Sequence, residues 1–453
     1  MVFTPVTLLL LSTYEFGRQP FGLASPAALL REDGHEVRTA DLSIDPLVVE
    51  SVRAAKLIAF YLPMHTATRL AVPIIGRARR LNPQAHICCY GLYAALNAGY
   101  LGEQGVQTCI GGEFENALRD LARHLRDDGA AAETPLAPLD RILFRKPARD
   151  DLPELSRYAA LVHNGTSAVA GYTEASRGCK HRCRHCPVVP VYQGRFRAVP
   201  LDIVLADAGQ QVEAGARHIT FGDPDFFNGP AHARRIIESL HAEFPGLTYD
   251  VTVKIEHLLQ HRDLLPVLKR TGCAFVTSAV ESVDDKVLLL LDKGHTRKDF
   301  IEVAGLFREH GLNLAPTFIP FTPWTTWEGY RELLGLLAEL ELVDNVAPVQ
   351  LALRLLITAG SRLLELDEIR AVVEDFDQAA LVYRWRNADR ELDSLAARLL
   401  KLIDSEQKLG RTRREIFGRI WAEAHPGPGR ELPENFDLLA RAAIPYLNEP
   451  WYC

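Results

Sequence analysis

No stretch of this 453-residue sequence approaches the roughly 20 consecutive apolar residues needed to cross a bilayer, so no membrane partner is expected. Cysteine is scarce. Eight in the whole chain are too few for a disulfide scaffold, and grouped thiols in a reducing cell are more often metal ligands. An excess of positive charge is also lacking: 51 Lys and Arg stand against 58 Asp and Glu, a formal charge of −7. Such a balance provides no field for a phosphate backbone and argues against nucleic acid as a partner. The first residues, Met1 to Thr7, lack the basic lead-in of a secretory signal, and the apolar run Leu8 to Leu11 is too short for one, so a cytoplasmic location is expected. Internal repeats are absent, and low complexity is confined to one Ala-, Pro- and Asp-rich stretch. What remains, 47% hydrophobic and 24% charged, has the make-up of an ordinary globular protein. The length suggests two or three units of roughly 100–200 residues each.

An α/β chain is predicted. Over residues 1–126, short apolar runs at Thr7 to Ser12, His35 to Ala40, Lys56 to Leu62, His86 to Tyr90 and Val106 to Gly111 read as buried strands. Amphipathic stretches such as Ala67 to Leu81 and Glu113 to Leu125 alternate with them, the pattern of a doubly wound, Rossmann-like parallel sheet. Residues 127–165 hold the Ala/Pro/Asp-rich run and read as a linker. Residues 166–362 alternate again, with strands expected near Ala168 to Ala175, His218 to Gly222, Thr248 to Lys254, Ala274 to Val280, Leu312 to Ile319 and Val349 to Ile357. Six strand-helix units make an incomplete barrel with ligands at the carboxyl ends of the strands. Residues 363–453 read as helical, with apolar spacing through Leu392, Leu395, Leu399, Leu400 and Ile403.

The run Ser176-Arg177-Gly178-Cys179-Lys180-His181-Arg182-Cys183-Arg184-His185-Cys186-Pro187 carries the chemistry. Thiolates spaced three and then two residues apart can converge on one iron-sulfur cluster, and without a fourth cysteine nearby one iron keeps an open position. The alternative is a structural zinc site closed by His181 or His185. Structural zinc sites usually draw ligands as two separated pairs, whereas both histidines here lie inside the same loop.

This C-x-x-x-C-x-x-C spacing resembles the cluster motif of the radical S-adenosylmethionine (radical SAM) superfamily. The resemblance implies that Cys179, Cys183 and Cys186 hold a [4Fe-4S] cluster whose open iron is chelated by the methionine end of S-adenosylmethionine. It also implies an external electron donor of the flavodoxin or ferredoxin kind and a partial (β/α)6 barrel. The N-terminal unit resembles the cobalamin-binding-like domain of many such proteins, through Gly34-His35-Glu36-Val37, Asn82-Pro83 and Gly111-Gly112-Glu113-Phe114-Glu115. The D-x-H-x-x-G loop whose histidine would ligate cobalt is replaced by Ser12-Thr13-Tyr14-Glu15-Phe16-Gly17. Two readings stand: cobalamin without a histidine ligand, or the fold without the cofactor. Leu152 to Tyr158 resembles the lead-in to the barrel in cobalamin-type members.

Further motifs lie at strand ends. Gly222, Asp223 and Asp225, in Phe221-Gly222-Asp223-Pro224-Asp225, resemble the segment that holds the cosubstrate's ammonium, or else form a capped turn. Lys254 and Glu256 could meet a carboxylate and ribose hydroxyls, or form a salt-bridged rim. Ser278, Glu281 and Ser282, followed by Lys293-Gly294-His295-Thr296, resemble the fourth-strand segment of cobalamin-type members and suggest cosubstrate contacts, against a self-satisfied network. Trp324 and Arg354 could wall a substrate pocket and take an anion, or simply pack. The runs that hold them, Pro320 to Thr326 and Val349 to Leu356, resemble a subgroup ending in a short cysteine or selenocysteine tail of the C-C-A-E-P or C-U-A-E-P type, which draws notice to the terminal Cys453. Cys88, Cys89, Cys109 and Cys273 fall in apolar runs and receive no role.

The function expected from this resemblance is reductive cleavage of S-adenosylmethionine. A methyl or other alkyl group would then pass to a small molecule or peptide in natural-product biosynthesis. Transfer of the 3-amino-3-carboxypropyl group to a soft acceptor such as arsenic is an alternative. A non-catalytic cobalamin or iron-sulfur sensor is a rival of another class.

Overall fold

The computed structural model of the protein describes residues 7–127, 136–426, 432, 436 and 444–449. Five apolar runs form the first sheet: β1 (Thr7–Ser12), β2 (Glu36–Asp41), β3 (Leu57–Tyr61), β4 (His86–Tyr90) and β5 (Thr108–Ile110). All are parallel in the order β2-β1-β3-β4-β5, with β1 in register against Val37 of β2 and Leu57 of β3 at Leu8. Alternate residues of β1 feed two separate cores, Leu8 and Leu10 on one face, Leu9 and Leu11 on the other. A strand buried on both faces has no polar positions to spare, which is why it reads as an unbroken Leu run.

The second sheet has the order β13-β12-β11-β10-β7-β6-β16. Its parallel part is β7 (Thr166–Thr173), β10 (His218–Phe221), β11 (Thr248–Thr252), β12 (Cys273–Glu281) and β13 (Leu314–Phe318). The antiparallel strands β6 (Ala160–His163) and β16 (Tyr446–Leu447) extend it beyond β7. Two small hairpins complete the strands: β8 (Ser176–Gly178) with β9 (Phe196–Ala198), and β14 (Val373–Asp377) with β15 (Val382–Trp385). Helices pack on the outer face of the curled sheet, where Ile219, Phe221, Tyr249, Val251, Val276 and Phe318 join one large core. The other parity, Thr220, Asp250, Thr252, Thr277 and Thr317, faces the lumen.

Two expectations need correction, and a third holds with additions. The run Val349 to Ile357 is not a sixth barrel strand: Pro348–Leu351 is a 3-10 turn, and the only ladder contact reported there is one bridge between Phe321 and Arg354. The Gln350 side-chain oxygen accepts from Phe318 N–H at 3.1 Å and so takes the place a strand carbonyl would occupy. The stretch read as linker, 127–165, is anchored where it is described. It contributes β6, and buried Arg149 pairs with Asp207 at 2.7 Å. The C-terminal part is helical over Arg390–Lys408 and Arg413–Ala424 but also supplies the β14–β15 hairpin and β16.

Candidate active site

The cysteine loop leaves β8 through Gly178, whose φ is +71°. A Cβ there would lie 2.4 Å from the Arg195 carbonyl oxygen and 2.4 Å from Tyr192 Cδ1, so only glycine permits this turn. The loop is pinned from outside: Arg184 N–H donates to Leu291, Arg362 to the Arg182 carbonyl and Ser361 to the Arg184 carbonyl. Asn228 Oδ1 accepts from Lys180 N–H at 3.0 Å and lies 3.8 Å from Cys179 Sγ. Cys179 and Cys183 are buried, and Cys186 is half-buried against Val188, Val191 and Tyr192. Burial, with Cys183 and Cys179 close by, pushes the Cys186 thiol up to about 12. The other described cysteines, Cys88, Cys89, Cys109 and Cys273, belong to β4, β5 and β12. Three sulfur donors on one loop, with no fourth sulfur beside them among the described residues, suit a cluster with one open iron.

Both loop histidines turn to carboxylates. His181 Nε2 lies 3.4 Å from Asp225 Oδ2 and its Nδ1 lies 3.5 Å from Glu256 Oε2. His257 Nδ1 lies 2.8 Å from the same Asp225 oxygen, and the two imidazoles lie tilted at 58° with ring centroids 4.5 Å apart. Despite that proximity Oδ2 is misaligned for hydrogen bonding and has no partner of good geometry, although the Asp225 side chain is fully buried. Burial alone would raise the Asp225 carboxyl, but His181 and His257 hold it below the usual range. Lys254 Nζ completes the row, 3.3 Å from Glu256 Oε2. On the other side of the loop His185 Nε2 meets Glu281 Oε1 at 3.2 Å, and Lys293 Nζ meets the same oxygen at 3.3 Å. Burial opposes ionisation of Glu281, yet Lys293 and His185 bring it down to about 2. The Lys293 ammonium also feels Cys183 and Cys186, a cation suited to an anionic cluster.

Of the sequence candidates, Asp225, Lys254, Glu256 and Glu281 gather around the loop. Gly222 follows β10, at a position where a Cβ would meet the Tyr172 hydroxyl at 1.9 Å. Asp223 braces the loop from below. It accepts from Ala175 N–H at 2.9 Å and Ser176 Oγ at 2.5 Å, and burial raises its carboxyl to about 7. Ser278 does not face a ligand: it shares parity with Val276 and Val280 on the helix-covered side, fully buried and without a partner for Oγ. Ser282 Oγ accepts from Asp284 N–H. Trp324 packs in a satellite core with Ile319, Leu355 and Trp385. The Arg354 guanidinium is taken by Asp393 at 2.5 Å and sits 4.1 Å over the Trp385 ring, so it has internal partners rather than an open position. Cys453 lies outside the described residues. His257 and Lys293 had no assigned role in the sequence reading, and His181 and His185 entered it only as alternative zinc ligands, because their partners lie at strand ends remote in the chain.

Two cavities lie near this region, the second of them lined by Gly178 and Val188 on either side of the loop. One, of about 490 Å³, fills the lumen between Gly222, Asp223 and Thr252 at the carboxyl ends and Asn345 and Arg413 at the amino ends. The other, of about 240 Å³, lies at the carboxyl edge of the first sheet, lined by Glu15, Tyr61, Phe114, Tyr172, Arg177 and Tyr192 among others.

The radical SAM superfamily profile matches residues 173–337, from the last residue of β7 to the helix Trp327–Glu339. The ribosomal protein uS12 methylthiotransferase RimO of Geobacter sulfurreducens is 26% identical over 187 residues, 39% of this chain and 41% of that protein. Hopanoid C-3 methylase of Methylococcus capsulatus is 23% identical over 328 residues, 68% of this chain and 62% of that one. The chain thus spans less than half the length of the first of these relatives. Among solved structures, the cobalamin-dependent S-adenosylmethionine radical enzyme OxsB, with aqua-cobalamin and S-adenosylmethionine bound, superposes with a TM-score of 0.68. It has 14% identity and covers 88% of this chain and 67% of its own. The radical S-adenosylmethionine methyltransferase TsrM from Kitasatospora setae, with cobalamin and a [4Fe-4S] cluster bound, gives 0.61 at 17% identity, covering 75% and 74%.

Residues 173–337 therefore match the radical SAM superfamily, and that likeness indicates an enzyme that uses a [4Fe-4S] cluster and S-adenosylmethionine. The fold is that of the cobalamin-type members. Both cobalamin readings stand: the solved neighbours hold cobalamin, and the cavity at the carboxyl edge of the first sheet would admit one after its side chains open. The cavity of about 240 Å³ is below the roughly 300–1,000 Å³ that holds a drug-sized ligand, and cobalamin is larger than those. The Gly111 and Glu113 N–H groups at that edge are already donated to the Leu136 and Pro138 carbonyls at 2.6 and 2.8 Å.

Proposed function

We propose that this enzyme cleaves S-adenosylmethionine reductively and transfers its methyl or another alkyl group to a small molecule or peptide held in the barrel lumen, a step of natural-product biosynthesis. The bound cluster and cosubstrate supply one-electron cleavage of a carbon–sulfur bond, with the electron coming from an external donor of the flavodoxin or ferredoxin class. In this reading Cys179, Cys183 and Cys186 ligate the cluster. Asp225 would accept from the methionine ammonium: its carboxylate is buried beside the loop and kept anionic by two histidines. His181 and His257 keep that carboxylate ionised and fixed. Lys254 and Glu256, next along the rim, are suited to the carboxylate and ribose. Glu281, held by Lys293 and His185, keeps a positive charge beside the thiolates.

The observation that supports the reading is the buried Asp225 carboxylate held between two histidines beside the three-sulfur loop, with a lumen large enough for a second molecule within the same barrel. A sensor has no need of that lumen.

The test is to incubate anaerobically reconstituted, reduced enzyme with S-adenosylmethionine and identify the fragments by mass spectrometry. S-Adenosylhomocysteine supports methylation and 5′-deoxyadenosine supports adenosyl-radical chemistry. Methylthioadenosine replaces methyl transfer by aminocarboxypropyl transfer, and recovery of intact S-adenosylmethionine from protein with a complete cluster overturns the enzymatic reading.

A further inference from the structure

The lumen is a charged space, and nearly every charge in it is already answered. Arg18 pairs with Glu449, Asp250 accepts from His218 Nε2 at 2.8 Å and Thr220 Oγ1 at 2.7 Å, and Arg411 pairs with Glu415 at 3.0 Å. Arg413 differs. Its Nη1 donates to the Asp344 carbonyl at 2.7 Å, while the Asp344 carboxylate is taken by Arg414 Nε at 2.7 Å. The guanidinium stands 4.7 Å from the Tyr446 ring centroid, a contact that orients it without neutralising it. Among the described residues no carboxylate lies within ion-pair distance of it. Burial lowers its pKa, the direction expected of a cation short of counter-charge.

Its position is built. Thr412 caps the helix Arg413–Ala424 with a reciprocal capping box to Glu415, which fixes where residue 413 projects. Tyr446 comes from β16, the strand that extends the sheet at its open side. Asn345, beside Asp344, donates to the Leu314 carbonyl at the amino end of β13, so Arg413 lies at the end of the lumen opposite the cysteine loop. Five strand residues at about 3.3 Å each put roughly 15 Å between the two ends. Thr252, Thr277 and Thr317 face the space between, a lining that would strand its hydroxyls against a wholly apolar molecule.

We propose that Arg413 is the anion-binding end of the substrate site: the substrate is a small polar molecule with a terminal carboxylate or phosphate seated on this guanidinium and its reacting atom near the cysteine loop. This inference rests on the lumen being the substrate site.

The experiment is calorimetric titration of the reconstituted holoenzyme with two probes, inorganic phosphate and glutarate. One site per chain is expected for at least one of them, and which probe binds distinguishes the phosphate from the carboxylate. Arg413→Gln should weaken it roughly ten- to a hundredfold, the usual weight of a charged hydrogen bond. Arg413→Lys, which keeps the charge and loses the fork, should weaken it less. Arg419→Gln, an exposed change on the same helix, should leave it alone. Binding of neither probe to the unaltered enzyme, or equal binding to Arg413→Gln and Arg413→Lys enzymes with normal iron content, overturns the proposal. The electron paramagnetic resonance signal of the reduced cluster, recorded with and without S-adenosylmethionine, separates the two levels. A signal that responds while the anions fail to bind sinks only the anion site, whereas an indifferent signal sinks the function.

Discussion

Replacing Arg177 by methionine should destabilise the protein more at pH 8 than at pH 5.5. The Arg177 side chain is 6% exposed and meets Glu115 at 2.7 Å, Glu174 at 2.6 Å and Glu113 at 3.4 Å, with the rings of Phe21, Phe114 and Phe144 around it. Methionine keeps much of the packing against those rings, so the loss is electrostatic: three carboxyl groups remain in one buried pocket without a cation. Removing one partner of a buried ion pair costs about 3–5 kcal/mol. Glu113 supplies the pH dependence. Burial already raises its carboxyl to about 7, although Arg177 pulls it down. A carboxyl raised on folding costs nothing while both states are protonated. It costs stability as pH climbs from the unfolded value through the folded one. Without Arg177 the Glu113 carboxyl rises further, so the penalty grows between pH 5.5 and 8, by up to about 1.4 kcal/mol from this group once its folded value passes pH 8. Urea unfolding at the two pH values measures it. Because Arg177 precedes Cys179 by two residues, iron bound after reconstitution should fall as well. A loss below about 1 kcal/mol at pH 8, or equal losses at both pH values, would refute the reasoning.

Three further outcomes are expected. Ser278→Ala should be neutral or stabilising by up to about 1 kcal/mol in urea unfolding, since it removes a fully buried hydroxyl without a partner; marked destabilisation would reveal a partner and restore a site role. Asp225→Asn should leave iron content unchanged and weaken S-adenosylmethionine binding roughly tenfold or more, read from the cluster's paramagnetic spectrum, and an unchanged affinity would remove Asp225 from the cosubstrate site. Hydroxocobalamin added during anaerobic reconstitution should pass through desalting without corrin absorbance remaining on the protein; a stoichiometric corrin band would show that Tyr61, Phe114 and their neighbours open to admit it.

Strands of the two sheets were legible because burial on both faces forces unbroken apolar runs, as at Leu8 to Leu11. The same rule misled at Val349 to Ile357. An apolar run bounded by proline suits a buried turn as well as a strand, and only the hydrogen bond from Phe318 N–H to the Gln350 side chain decides between them. Ser278 misled through parity. Its neighbour Thr277 faces the lumen, and a shift of one residue exchanges ligand side for helix side. The three cysteines were legible because their ligation is local, whereas the partners of His181 and His185 come from 44 to 96 residues away, Asp225 and Glu281 being set by the ends of other strands.

That contrast extends to charge. Arg354 looked available and is not, since Asp393, 39 residues on, takes it; Arg413 followed a helix cap in a region read as a helical appendage and is left facing the lumen. Both are arginines near barrel strands, and no local pattern separates them. The difference is whether a carboxylate arrives through space, and in a sheet extended by a strand from residues 446–447 that depends on the last described segment of the chain as much as on the barrel itself. Substrate selectivity is accordingly expected to reside in the helix Arg413–Ala424 and in β16, and cosubstrate chemistry in the loop at residues 179–187 and the strand ends around it.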